Sequence, residues 1–162
     1  AEQAGLLDAS LQLPAGVVVD IHSRFLFEQE VFSRRPAREL SAQEFCEMTL
    51  AGQRATYADG LDPATFHPYM WAVKPHYYSA ELNFYNYPYA FGQLFGLGLY
   101  SLYRREGRAF VPRYLDLLRS TGAGPAADLV AGFGIDIRSR EFWAESLRMV
   151  AEQVDAYCAA EA

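Results

Sequence analysis

A histidine and a group of tyrosines are the residues whose types and spacing are suited to chemistry. His76 and Tyr78 come shortly before Tyr85, Tyr87 and Tyr89, which alternate along the chain. Imidazole and phenol both donate hydrogen bonds while they are neutral. In an extended segment the three alternating phenols would face one way, and burying them without partners would be costly. The pattern therefore predicts either a site or an aromatic belt whose hydroxyls bond to the backbone.

The other histidines and the cysteines do not predict a metal site. The sequence has no H-E-x-x-H motif, and its three histidines are scattered along the chain. We expect His22, which falls among apolar residues, to be a core or groove histidine, and His67 to lie in a turn. Cys46 and Cys158 are too few and too distant for a disulfide framework, so we expect buried free thiols and a reducing, cytoplasmic compartment.

Composition and charge narrow the class of protein. Hydrophobic residues make up 51% of the 162 residues and aromatic residues 15%, which is enough to build a core. The formal net charge of −6 argues against binding to the phosphate backbone of nucleic acids. Residues 82–103 carry no charge, but Asn83, Pro88 and Gln93 interrupt them, so we expect a loop and a buried helix, not a membrane span. Residues 1–14 do not predict a secretory signal.

Helix signals punctuate the first half of the chain. Pro14-Ala15-Gly16 is expected to break a short N-terminal segment. Residues 17–35 then predict a helix, with one apolar face formed by Val18, Ile21, Phe25 and Phe32. Ser41 and Glu44 form a capping box that starts a helix over residues 42–58, ahead of Gly60. Residues 70–86 have no clear period, which leaves either an irregular segment or a short hairpin.

The second half of the chain also predicts helices, over residues 89–106, 108–120, 125–131 and 139–162. Gly107, Gly122 and the turn around Gly132 separate them. The final helix is expected to face inward with Phe142, Leu147, Val150 and Val154. Small residues inside the first of these helices are expected to let another backbone come close, namely Gly92, Gly96 and Gly98. We therefore predict an all-α fold, with residues 1–162 forming a single helical region.

Several blocks of this sequence, in order and at consistent spacing, resemble the oligoendopeptidase F family, relatives of thimet oligopeptidase among the zinc peptidases. The blocks are residues 19–28, 67–71, 74–78, 84–92, 133–137 and 142–143. The resemblance covers nearly the whole chain from about Val17 onward. It implies that the chain is the C-terminal portion of a mostly helical, cleft-shaped peptidase catalytic domain.

The resemblance also implies roles for the aromatic residues. The family holds zinc with an H-E-x-x-H helix and a later glutamate, which lie upstream of this sequence, and a zinc-bound water attacks the peptide bond. Its C-terminal part supplies a histidine and tyrosines that face the metal across the cleft. By motif the histidine matches His76 and one tyrosine matches Tyr89, with Tyr85 as a second phenol that stabilises the oxyanion. Tyr78 and Tyr87 are candidates for substrate binding, and either could hold the second role instead.

The function implied is that of a fragment of a zinc-dependent metalloendopeptidase that hydrolyses short peptides. The zinc would be bound by residues outside this chain, and the fragment alone would be inactive. Its expected partners are short peptide substrates, the missing N-terminal portion of the same protein and other copies of itself. The alternative is a stand-alone helical module that binds peptides or proteins through the aromatic residues without catalysis.

Overall fold

Helices and tight turns form the regular structure of residues 2–161, which are the residues that this computed structural model describes. Within that range no strand occurs, and the all-α prediction is confirmed. The α-helices of the described range are Glu2–Ala15 (α1), His22–Arg34 (α2), Ala42–Tyr57 (α3), Tyr87–Glu106 (α4), Phe110–Arg119 (α5), Ala126–Ala131 (α6) and Arg140–Glu161 (α7).

The chain divides into two compact units. Residues 12–91, here called the site unit, contain every candidate site residue of the sequence analysis. The hairpin unit combines residues up to Leu11 with residues from Gly92 onward and is named for its helix pair α4 and α5. That both units belong to one peptidase domain stays a prediction.

The predicted break at Pro14 does not occur. Pro14 lies inside α1, and Ala15 keeps helical backbone angles of φ −62° and ψ −46°. The helix then widens into a π-helical stretch, Gly16–Ile21, and continues as α2. Proline removes one backbone donor and crowds the preceding turn, and a local change of helical pitch accommodates such a defect without ending the helix.

The buried face of α2 differs from the predicted one. Phe32 was expected inside but is 62% exposed, whereas Phe27 and Val31 are buried. The π-helical stretch Gly16–Ile21 shifts Val18 and Ile21 relative to α2, but Phe32 lies within α2 itself, so packing against α3 decides which face of α2 is buried. Glu28 lies in the interior, at only 3% exposure.

The core of the site unit lies between α2 and α3, which pack together. Its buried members are Phe27, Val31 and Met48, and five partly buried side chains pack against them: Leu40, Phe45, Trp71, Tyr77 and Phe84. Gly52 of α3 allows the close approach, because a Cβ there would meet the carbonyl oxygen of Ser23 at 2.5 Å. The capping box at the start of α3 is confirmed, since Ser41 and Glu44 each bond to the other's backbone N–H.

Residues 58–86 connect α3 to α4 as an irregular segment with short 3₁₀ turns at Pro63–Thr65, Met70–Val73 and Pro75–Tyr77. Of the two alternatives for residues 70–86, the hairpin is wrong and the irregular segment is right. Gln53 of α3 holds the middle of the segment: its side chain donates to the carbonyl of His67 and accepts from the His67 N–H, both at 3.0 Å.

The hairpin unit is built on α4 and α5, joined by the turn Gly107–Ala109. Gly107 has φ +65° and ends α4 as predicted. The core contains Leu99, Phe110, Leu117, Val130 and Ile135.

Close packing at glycine within α4 is found at one of the three predicted positions. A Cβ on Gly98 would meet the Phe142 ring at 2.4 Å, so the contact is with a side chain. The corresponding positions at Gly92 and Gly96 face open space.

The inward face predicted for α7 is partly wrong. Leu147 and Val154 are 44% and 42% exposed, whereas Ser146 and Met149 are buried. Ser146 fits against α4 because Gly98 leaves room for it. The burial of Ser146 therefore depends on the partner helix and could not be predicted from the apolar periodicity of α7. Cys158 on the same helix is exposed, so the buried thiol expected there is wrong.

One helical run, Ala4–Arg34, is long and apolar enough to cross a membrane by length and composition, and 17% of that window is buried. Core helices of soluble proteins and signal sequences meet the same criteria, so the run is weak evidence for a span. The absence of a membrane role and the cytoplasmic location stay predictions.

Candidate functional site

The five candidate residues lie at the end of the irregular segment and the start of α4. His76 belongs to the 3₁₀ turn Pro75–Tyr77, and Tyr78 follows it directly. Tyr85 comes just before α4, and Tyr87 and Tyr89 occupy its first turn. The chain from Tyr85 to Tyr89 is therefore not extended, and alternation along a strand does not explain how the phenols meet.

Three of the phenols nevertheless form one group, here called the tyrosine cluster. The ring of Tyr85 lies 5.8 Å from that of Tyr87 and 6.0 Å from that of Tyr89, both edge-on. Tyr78 is 64% exposed, and within the described residues no ring contact joins it to the cluster. The structure thus brings together the cluster and leaves Tyr78 apart.

The cluster faces solvent and is not the aromatic belt that was the alternative. Tyr85, Tyr87 and Tyr89 are 38%, 63% and 46% exposed. Among residues 2–161 their hydroxyls bond to no backbone group. Exposed phenols of this kind can offer their O–H groups to a ligand.

His76 is fixed against the residue that centres the cluster. The backbone N–H of Tyr85 donates to His76 Nδ1 at 3.0 Å, and the backbone N–H of Phe84 donates to the His76 carbonyl at 3.2 Å. Because Nδ1 accepts, the neutral imidazole carries its proton on Nε2 and is a donor there. Burial lowers the pKa of His76, and the positive charges of Arg24 and Lys74 add to that, which favours the neutral ring.

A buried polar group lies under the cluster, and the sequence analysis missed it. Asn86 is 2% exposed and donates from Nδ2 to Glu28 Oε1 at 2.7 Å and to the Tyr77 hydroxyl at 3.2 Å. Burial raises the pKa of Glu28 to about 7, against the opposing effects of hydrogen bonds from Asn86 and Tyr77 and the charge of Arg24. The sequence carries no signal of this burial, because Glu28 follows Arg24 and Asp20 at four-residue spacing, a pattern typical of a solvated helical face.

The same face of the helix carries a second polar group. Arg24 forms an ion pair with Asp20, and the Tyr57 hydroxyl of α3 donates to Asp20 Oδ1 at 2.8 Å. Burial and then the Asp20 carboxylate raise the pKa of Tyr57 to about 12, so this phenol stays protonated as a donor. These contacts tie the helix before α2 to the end of α3.

A void of about 10 Å³ lies beside the core of the site unit. Arg24 and Trp71 line it, and Arg24 Nε and Trp71 Nε1 are buried and unpartnered within the described part of the chain. Both groups are donors, and the void has about the size of one water, an acceptor that would satisfy both.

The two other histidines stand outside this arrangement. His22 is exposed, so the core or groove position expected for it is wrong. His67 is held through its backbone by Gln53 in an irregular connection, in agreement with the turn predicted there.

The described residues do not form a zinc site. Between residues 2 and 161 no group of three or more His, Cys, Asp or Glu side chains is arranged to hold a metal ion, and structural and catalytic zinc sites use three or four such ligands.

The hairpin unit carries a second surface feature, an apolar groove of about 510 Å³ between α4 and α5. It is lined by Gly96, Leu99, Tyr100, Tyr103, Phe110, Val111, Tyr114 and Leu115. Tyr100 is 52% exposed and Leu115 is 43% exposed. Apolar surface of this kind is typical of an interaction face.

Comparison with known proteins gives a distant similarity to a peptidase. The chain is 32% identical over 85 residues to oligopeptidase PepF of Bacillus subtilis (strain 168), a match that covers 52% of this chain and 12% of PepF. No protein-family model matches the chain, and no solved structure is significantly similar to it. The chain therefore has a partial, PepF-like relationship.

Proposed function

We propose that this chain is the C-terminal part of a zinc-dependent oligopeptidase and supplies the side chains that bind a short peptide and stabilise the oxyanion of its hydrolysis. The observation that carries the proposal is the 3.0 Å hydrogen bond from the Tyr85 N–H to His76 Nδ1. It leaves the Nε2–H of a neutral imidazole as a donor next to a group of exposed phenols. The partial similarity to oligopeptidase PepF supports a peptidase relationship.

The proposed chemistry needs donors and no charge. A peptide carbonyl that is attacked develops negative charge on its oxygen, and preorganised neutral donors stabilise that oxygen more than the carbonyl of the bound substrate. His76 and the hydroxyls of Tyr85 and Tyr89 are the donors in this proposal. Tyr87, the most exposed member of the cluster, would contact the peptide backbone or side chains.

The ring contacts favour Tyr85 over Tyr78 as the second phenol. Tyr85 is in ring contact with Tyr89 and bonds through its backbone to His76, so it connects the two other residues proposed for the site. Tyr78 is exposed and lies outside the cluster. We therefore assign Tyr78 to a peripheral substrate contact.

In this proposal the zinc ion is bound by residues outside the chain, and the chain contributes hydrogen-bond donors and peptide contacts. On this basis the chain alone binds peptides weakly and hydrolyses none. The missing N-terminal portion of the same protein is then its main partner, and the compartment proposed is the cytoplasm.

A second candidate function is a stand-alone helical module that binds peptides or proteins without catalysis. The observation that favours it is the apolar groove of the hairpin unit, which offers an interaction face unrelated to the tyrosine cluster.

Two measurements separate these functions. The reading frame upstream is sequenced, and the protein it encodes is assayed with an internally quenched fluorescent peptide beside the 162-residue chain. We expect an upstream H-E-x-x-H, zinc-dependent cleavage by the longer protein and none by the chain. If the longer protein has no such motif and cleaves no peptide, the peptidase proposal is wrong and the binding module is favoured.

A further inference from the structure

A buried polar contact attaches the chain between two members of the tyrosine cluster to α2. Asn86, which stands between Tyr85 and Tyr87 in the chain, reaches Glu28 at 2.7 Å. Both side chains are almost completely buried, at 2% and 3% exposure. Tyr77 closes the group, since its hydroxyl accepts from Asn86 at 3.2 Å.

The contact between Asn86 and Glu28 holds a strained turn of the backbone in place. Phe84 has φ +55°, a left-handed conformation that is strained for a bulky residue. The N–H of Asn86 donates to the Phe84 carbonyl at 3.1 Å, and the N–H of Tyr89 donates to the Asn86 carbonyl at 3.3 Å. The turn that leads into α4 and orients Tyr85 and Tyr89 is thus centred on Asn86. A buried anchor at that position is what keeps a strained turn in place.

We infer that Glu28 is the positioning residue of the tyrosine cluster. While its carboxyl group is neutral, Glu28 forms a buried hydrogen-bonded group with Asn86 and Tyr77. When the carboxyl group ionises, the segment that presents Tyr85 and Tyr89 is released. Glu28 accepts from Asn86 Nδ2, and the Tyr77 hydroxyl is also hydrogen-bonded to its carboxyl group. Both partners are donors to Glu28, so burial is the effect that favours the neutral form. An ionised carboxylate at this burial loses solvation that it regains only if the segment opens.

Burial, and not the groups around Glu28, favours the neutral carboxyl group. The charged and titratable groups that act on it are Arg24 on its own helix and Tyr77 on the irregular segment, and α3 adds none to them. Their effects favour the ionised form but are outweighed by burial, which moves the carboxyl titration into the neutral range. Tyr77 keeps its proton, because burial raises its pKa further above the ordinary value.

The test is amide hydrogen exchange of residues 84–89 by NMR between pH 5 and pH 8, corrected for intrinsic exchange rates. In the wild-type chain the opening constant of these amides should rise by about tenfold per pH unit up to pH 7 and then level off. Glu28→Gln has no titratable proton and keeps a side-chain oxygen that can accept from Asn86, so its opening constant should be independent of pH. Glu30→Gln, on the exposed side of α2, is the matched control and should behave as the wild type.

Two further measurements check that Glu28 is the group whose titration opens the segment. The ¹³Cδ shift of Glu28 should titrate with the same midpoint as the exchange, which distinguishes it from His76 in contact with Tyr85. Glu28→Leu should raise exchange at residues 84–89 at least tenfold at pH 5; if that variant does not fold, the Gln variant decides alone. Identical pH dependence in wild type and Glu28→Gln would overturn the inference.

The effect on ligand binding rests on the proposed function and is measured separately. Binding of a fluorescein-labelled pentapeptide of alanine and phenylalanine should weaken from pH 6 to pH 8 in the wild type in proportion to the loss of the closed fraction that the exchange measurement gives, and stay constant in Glu28→Gln. If the exchange results hold and the peptide binds neither protein, the proposed peptide site is wrong while the positioning role of Glu28 stands. If the peptide binds both with the same pH dependence, Glu28 does not position the site.

Discussion

The backbone N–H of Tyr85 lies 3.0 Å from His76 Nδ1 and donates to it. This one contact joins two residues nine positions apart, fixes the tautomer of the imidazole and attaches the histidine to the centre of the tyrosine cluster. A histidine held in this way presents Nε2–H in a constant direction, which a freely rotating ring would not do. The predictions below follow from this and from the packing around it.

If the proposed function holds, removing the hydroxyl of Tyr89 in the proposed full-length peptidase should lower kcat by about 10²–10³ with little change in KM, because the hydrogen bond is proposed to form in the transition state. Tyr89→Phe keeps the ring contact with Tyr85, so the fold should be intact by circular dichroism. His76→Ala should cost at least as much. The matched control is Tyr69→Phe, an exposed tyrosine of the same unit outside the cluster, which should be neutral. Full kcat in Tyr89→Phe would show that the cluster has no part in the chemistry.

The free energy of unfolding should depend on pH through Glu28. Its pKa is raised in the folded chain from 4.5 to about 7, so the folded state holds the proton more tightly than the unfolded state. The stabilising contribution is fully present below about pH 4.5 and is lost as the pH rises through 7, by up to about 3 kcal/mol. Urea unfolding at pH 5 and pH 8 measures it.

Two other groups set the design of that experiment. The pKa of Glu44 is lowered to about 2, so this carboxylate stays ionised between pH 5 and pH 8. The pKa of His76 is also lowered, and a histidine of this kind gives stability that increases with pH, the opposite sign. The quantity to compare is therefore the difference between wild type and Glu28→Gln, which cancels His76. If the difference in unfolding free energy between the two proteins does not change with pH, the pKa of Glu28 is not raised in the folded chain.

Replacing Gly52 with alanine should lower the stability of the folded chain, and replacing Gly96 with alanine should raise it. Gly52→Ala places a Cβ 2.5 Å from the backbone carbonyl oxygen of Ser23, so α2 and α3 must separate, at a cost of about 1–3 kcal/mol. Gly96→Ala meets nothing within 4 Å and should stabilise α4 by up to about 1 kcal/mol, because alanine has the better helix propensity. Thermal unfolding of both variants gives the two signs directly. Equal effects would mean that α2 and α3 are farther apart than described.

The chain should self-associate through the apolar groove of the hairpin unit. Leu115→Glu introduces a charge into the groove and should shift the chain toward the monomer in multi-angle light scattering. Leu147→Glu is the control, since Leu147 has nearly the same exposure, 44% against 43%, but does not line the groove. A wild-type chain that stays monomeric at high concentration would favour the stand-alone module.

Local signals were sufficient for most helix boundaries. Ser41 with Glu44 and the glycine at position 107 act through bonds and backbone angles within a few residues, so the chain itself carries the information. The position of Pro14 inside a helix was not predictable in the same way. There the widened turn and the packing of the site unit decide the outcome, and neither is visible in the local pattern.

The sequence pattern selected the residues that meet in the tyrosine cluster together with Tyr78, which lies apart from it, and it did not predict what supports the cluster. The types and order of His76 and the tyrosines identified the group, but their meeting depends on the turn at Phe84 and on the buried contact of Asn86 with Glu28. A glutamate on a helix is usually solvated. Only the tertiary structure shows that this one lies inside.

The irregular segment between α3 and α4 has a further consequence for how the molecule comes apart. It is held to the helices by polar contacts at two places, Gln53 to His67 and Glu28 to Asn86, while Leu82 between α3 and α4 stays exposed. Trp71, Tyr77 and Phe84 of the same segment also pack against the core between α2 and α3. Local opening of the segment therefore requires that the two side-chain contacts break and that these rings leave the core, so both set the energy of opening.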